Sequence, residues 1–207
     1  MSTTAGAGAG DAAGRVVSIR PEAERGATAQ VGMLVFLGSW AMMFAALFFS
    51  YTILRLRVGT WPPPGGPSLP TVLPAVSTGV ILVSSITLHL SLAARRRGAA
   101  RNALTWVILT FLLGSLFVGL QGRTWLDTWT AGLTQWSGVL GSIFYLMTVF
   151  HALHVVVGLG VLGWLGVRLW RETVQPERAE TSLQVLGMFW HFVGLVWVAI
   201  YVSVFLL

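Results

Sequence analysis

Four histidines, His89, His151, His154 and His191, carry the ligand chemistry of this sequence, which contains no cysteine. His151 and His154 are three residues apart, so on a helix they share one face. Neutral imidazole is a good ligand for haem iron, copper or zinc. A site of that kind would draw His191 from a second helix. The same rings could instead hydrogen-bond between packed helices, a common use of membrane histidine, and a catalytic metal ordinarily recruits more ligands and a supporting carboxylate. His89 lies near the end of its apolar run, close to Arg95, and reads as interfacial. The lack of cysteine removes disulfides, iron–sulfur clusters, Cys-ligated zinc and mixed Cys/His copper sites.

No acid accompanies these rings at depth. All seven carboxylates (Asp11, Glu22, Glu24, Asp127, Glu172, Glu177 and Glu180) fall outside the apolar runs. Ion-driven transporters keep ionisable groups inside their spans, because a buried charge is costly and is retained for function. With no such carboxylate or arginine, and no internal repeat, transport through this chain's own core is disfavoured.

The elements that must position the histidines are membrane spans. Of 207 residues, 55% are hydrophobic and only 10% charged, and mean hydropathy is +0.77. A soluble domain carries charge on roughly a quarter of its residues. About 20 apolar residues cross a bilayer, and five runs qualify: 31–54, 72–94, 102–122, 138–167 and 183–207. Each must close its backbone hydrogen bonds internally, so each is helical. The expected fold is all-α, a polytopic bundle over 31–207 behind a flexible tail, 1–30, whose Ala/Gly/Thr/Ser composition lacks a signal-peptide core. Trp61-Pro62-Pro63-Pro64-Gly65-Gly66-Pro67 forbids a helix and reads as an ordered turn. Residues 123–135 read as a short polar link, with Trp125, Trp129 and Trp136 as an interfacial belt.

Every positive charge is arginine, and the formal net charge is +6. Ten arginines fall in the tail and the two loops on its side, against Arg55, Arg57 and Arg123 on the other. The positive-inside rule then places the N-terminus in the cytoplasm and the C-terminus outside. The basicity sets orientation and does not point to nucleic acid. Gly158, Gly160, Gly163 and Gly166 thin one helix for close packing, while Gln121 and the run Ser84, Ser85 and Thr87 would bond to neighbouring helices. At span ends the tryptophans read as interface anchors.

Several of these segments, in order, resemble the cytochrome c oxidase subunit III family. Gly32-Met33, Phe36-Leu37, Ser39 and the stretch from Phe44 to Tyr51 resemble a helix of that family, and Trp61-Pro62-Pro63 resembles its following loop. Thr78, Leu82 and Ser84-Ser85 resemble the next helix, and Gln121 matches the glutamine closing the one after. Gly141-Ser142-Ile143-Phe144-Tyr145 with Phe150-His151-Ala152-Leu153-His154-Val155 resembles the Gly-Ser-x-Phe and Phe-His-Gly-x-His-Val signature. Trp190-His191-Phe192-Val193 resembles the closing Trp-His-Phe-Val helix. The sequence departs where the family commonly carries acids: those positions are Trp40, Thr124 and Gly194. Ala152 replaces a glycine.

The resemblance implies the five-helix form of a haem–copper oxidase third subunit, in a bacterial-type plasma membrane. It implies a chain with no catalytic centre that binds no haem or copper itself, holds structural phospholipid, and packs on catalytic subunit I. Subunit II, and a small subunit IV as a further candidate, complete the partners. The residues expected to be structural are Gly32, Ser39, Trp40, Gln121, His151, His154, Trp190 and His191. The loss of the family acids puts proton collection by those positions in doubt. A quinol oxidase or nitric oxide reductase as host complex, and a His-ligated haem or copper protein, are the alternatives.

Overall fold

Apolar runs uninterrupted by proline become helices, and the five runs become five: α1 Glu22–Val58, α2 Val72–Arg96, α3 Ala100–Thr130, α4 Gly138–Trp170 and α5 Pro176–Ile200. Helix α5 continues into π-helical turns over Tyr201–Leu206. The structure, a computed structural model, describes residues 22–58 and 70–206. Most of the tail and the Trp61–Pro67 turn lie outside the described residues. All five helices are long and apolar enough to cross a membrane, and among the described residues there is no strand.

The helices overrun the apolar stretches. Helix α1 already starts at Glu22, so 22–30 is helical and not tail-like, and α3 passes through 123–130, where a polar link was expected. Hydropathy marks where lipid begins, whereas a helix stops where its backbone is capped. Helices α2 and α3 stop at left-handed glycines, Gly98 (φ 75°) and Gly132 (φ 91°). At both ends the two residues past the cap bond back to the last turn, Gly98 N–H to Arg95 O and Ala99 N–H to Ala94 O in the first case. That pairing satisfies carbonyls the helix leaves open. Pro176 starts α5 at a position where its missing N–H costs nothing. The polar end of α3 is held by the Arg123–Asp127 ion pair (3.1 Å) and by bonds to α4.

Helices α2 and α3 form an antiparallel hairpin zipped by hydroxyls. Thr87 Oγ1 and Thr110 Oγ1 lie 2.8 Å apart, Ser84 Oγ donates to Thr110 O (3.3 Å), and Ser91 Oγ donates to Ala103 O (3.0 Å). Hydrocarbon gives no hydrophobic drive between helices, so close backbone approach and interhelical bonds hold them. Helix α5 packs on α1, α2 and α4. Helix α1 is peripheral: 6% of its most apolar window is buried in the bundle, against 50% for α5.

Candidate functional site

Trp190 is where the bundle converges. Fully buried, its indole lies against two glycines on facing helices. A Cβ at Gly114 would stand 2.8 Å from the indole, and one at Gly158 would stand 3.0 Å away. Neither position tolerates a side chain while Trp190 stays. The indole N–H donates to Ser84 Oγ (3.1 Å), and Ser84 donates onward to Thr110 O. One side chain of α5 thus meets α2, α3 and α4. About two turns further along, the Trp197 N–H donates to Thr78 Oγ1 (3.0 Å), and its ring meets Phe117 edge-on at 4.9 Å. Trp190 and Trp197 are core residues and not interface anchors, whereas Trp129, Trp136 and Trp170 are exposed.

The histidines do not share one site. His151 is fully buried between Phe117 (6.0 Å) and Trp197 (5.4 Å), and neither ring nitrogen has a hydrogen-bond partner. Gln121 is equally buried, with both amide atoms unpaired. The Trp125–Thr148 and Thr128–Tyr145 bonds set the α3–α4 register. Gln121 is one turn from Trp125 and so sits level with His151, one turn from Thr148. Neither side chain makes the interhelical bond expected of it, and aromatic rings enclose His151 instead.

His154 faces another way. Its Nδ1 lies 2.6 Å from Phe150 O. A carbonyl only accepts, so Nδ1 carries the proton, and Nε2 of the neutral ring is a bare acceptor. Trp40 packs edge-on against it at 4.1 Å, with Phe44 at 5.5 Å. His191 is exposed on the outer surface, where it lines a shallow pocket of about 180 Å³ with His89, Gln184, Gly187 and Met188. The metal arrangement that would join His151, His154 and His191 is not formed. Successive residues turn by about 100° on a helix, so with Trp190 inward, His191 points out. Among the described residues, no three His, Asp or Glu side chains converge.

The three acid-departure positions show what replaces the charge. Trp40 packs edge-on against His154, and Thr124 is buried with its hydroxyl donated to Leu120 O of its own helix (3.0 Å). Gly194 leaves room beside Ser85, whose oxygen would stand 3.4 Å from a Cβ there. Of the residues expected to be structural on α1, only Trp40 touches another helix in this way. Gly32 faces open space, and Ser39 donates to Val35 O of its own helix. The small-residue stripe of α4 divides: Gly158 receives α5, Gly163 and Gly166 receive Phe111 and Val107 of α3, and Gly160 meets nothing. Sequence reasoning passed over Gly114, one of three glycines in its leucine-rich run, of which Gly119 and Gly122 meet nothing within 4 Å.

Helix α1 is clipped near its two ends. Gln30 Nε2 donates to Gln184 Oε1 (2.9 Å). At the other end, Tyr51 O–H (2.7 Å) and Arg55 Nη1 (3.1 Å) both donate to Ser203 O, placing a cation at the C-terminal end of a helix where its dipole is favourable. Between the clips an apolar groove of about 400 Å³ opens among α1, α4 and α5, lined by Met33, Phe36, Val161, Trp164 and Phe189.

Five long apolar helices, four knitted by one tryptophan and a hydroxyl zipper and α1 clipped near its two ends, define a multi-pass α-helical membrane protein. The sequence profile of cytochrome c oxidase subunit III matches residues 22–207, the whole bundle. The probable cytochrome c oxidase subunit 3 of Mycobacterium tuberculosis is 36% identical over 177 residues, covering 84% of this chain and 86% of that one. Cytochrome c oxidase subunit 3 of Synechocystis is 33% identical (85% and 74% covered), and that of Thermostichus vulcanus 31% identical (86% of each). The chain belongs to the cytochrome c oxidase subunit III family.

Proposed function

We propose that this chain is the non-catalytic third core subunit of a haem–copper terminal oxidase of the cytochrome c oxidase type, in a bacterial-type plasma membrane. It packs on the catalytic subunit I, with subunit II and a small subunit IV in the same complex. Oxygen reduction, haem and copper belong to the partners. The chain's own contribution is to preserve the catalytic subunit and to hold phospholipid, with acyl chains in the groove among α1, α4 and α5.

The observation that carries this reading is the extent of the family match. It spans the whole bundle, including the Trp-His-Phe-Val helix that supplies the Trp190 joint. His151, His154 and His191 face three different ways, and no three His, Asp or Glu side chains converge among the described residues, which favours this reading over a His-ligated haem or copper protein. The names borne by the relatives favour a cytochrome c oxidase over a quinol oxidase or nitric oxide reductase. The test is a pull-down of the full chain from its membrane in mild detergent, with a reduced-minus-oxidised spectrum and quantified phospholipid. A large haem–copper subunit should co-purify, with the haem signal tracking it and phospholipid retained. A pure chain that is itself coloured overturns the proposal.

A further inference from the structure

The surface around His89 and His191 is built unlike the rest of the membrane-facing exterior. The two imidazoles are exposed, line one pocket, and make no hydrogen bond among the described residues. Their depth follows from the Arg96–Glu180 ion pair (2.9 Å), which marks the charged level on α2 and α5. At 1.5 Å per residue, His89 is about 10 Å and His191 about 16 Å inward from it. Side chains lean toward their helix N-terminus, so on these antiparallel helices the two rings lean toward each other. With about 5–7 Å of interface on each side of a hydrocarbon core about 30 Å thick, His89 falls just inside the boundary at which its sequence position reads as interfacial, and His191 lies deeper.

Each ring offers one N–H and one bare nitrogen. Acyl chains supply neither partner, and a headgroup lies near the arginine level, too far away to reach. Ionisable groups at this depth nearly always face a protein interior. The surroundings suit a helix as cover. Ile86 and Leu195, one turn from the histidines, are large and exposed, and a Cβ at Gly187 would meet nothing within 4 Å. A bare glycine surface is what lets a second helix come close.

We propose that the α2–α5 face around His89, His191 and Gly187 is the surface on which a transmembrane helix of a partner subunit seats. That helix presents a hydrogen-bonding side chain, a carboxylate, carboxamide or hydroxyl, to the two imidazoles. This inference rests on the chain being an oxidase subunit, and goes beyond it by naming the face and the chemistry.

The experiment places a photoreactive benzoylphenylalanine at Ile86, at Leu195 or, on the outer surface of α4, at Leu153, which is 60% exposed. The full complex is irradiated in its membrane before purification. Ile86 and Leu195 should give adducts with one partner subunit, and Leu153 should not. In parallel, His191→Leu and Gly187→Leu should lower the partner retained in detergent by roughly threefold to thirtyfold, the range of lost interhelical bonds, without changing the melting temperature of the isolated chain. If the complex co-purifies but Ile86 and Leu195 mark lipid alone, or the subunit adduct comes from Leu153, the inference is overturned and the functional reading stands. If no oxidase subunit co-purifies with the unaltered chain, the functional reading falls and takes the inference with it.

Discussion

The α2–α3–α5 interior and the peripheral α1 are both attached by hydrogen bonds through the membrane, yet by opposite strategies. In the interior, attachment is distributed. Hydroxyls at Ser84, Thr87, Ser91 and Thr110 repeat along the α2–α3 seam, and Trp190 fills the space that Gly114 and Gly158 leave. On α1, attachment is concentrated: the Gln30–Gln184 bond near one end, Tyr51 and Arg55 on Ser203 O near the other, and the Trp40–His154 contact between. The interior is therefore sensitive to volume at nearly every position. Helix α1 is sensitive at a few points and indifferent elsewhere, and its spare surface becomes a groove.

The largest effect that tests this contrast is Trp190→Ala. It leaves a cavity among four helices and removes a bond to Ser84, and it should destabilise the purified chain by about 3–5 kcal/mol. Thermal unfolding in detergent checks it, and a loss comparable to that of an exposed site would erase the distinction between the regions. Tyr51→Phe is intermediate. Removing one donor while Arg55 keeps the other should cost about 1 kcal/mol, and should speed hydrogen exchange selectively in 201–206. The smallest effect belongs to Gly32→Ala, which meets nothing within 4 Å. It should leave the isolated chain unchanged or raise its stability by up to about 1 kcal/mol through helix propensity. A marked loss there would mean that α1 is packed more tightly than its surroundings show.

How far the sequence revealed this depended on which physical signal was being read. Apolar runs of membrane length located all five helices, since lipid leaves the backbone no alternative. They misplaced the ends, because the stops depend on caps such as Gly98 and Gly132 and on ties such as Trp125 to Thr148. Trp190 and His191 stood out together as neighbours in one motif. Which of them points inward depends on the rotation of α5, set by glycines distant in sequence. Gly114 carried no periodic partner to betray it. His151 and His154 share a face closely enough to suggest one site, but the rotation between them is sufficient for one to meet Trp197 and the other Trp40. Spacing identified the side chains with chemical potential, and tertiary contacts decided that three of them act on separate surfaces.

The clips on α1 also impose an order in time. Gln30 waits for Gln184, 154 residues later, and Tyr51 waits for Ser203, 152 residues later. At the usual pace of synthesis, about 5–20 residues per second, that is an interval of roughly 8–30 s. Within that interval the Ser84, Thr87 and Ser91 zipper can close as soon as α3 emerges, since its bonds span 12 to 26 residues. Of these five helices, α1 is made before the others yet gains its last ties only when α5 is complete, and until then it is held by the contacts of Trp40 and Phe44 with His154 of α4.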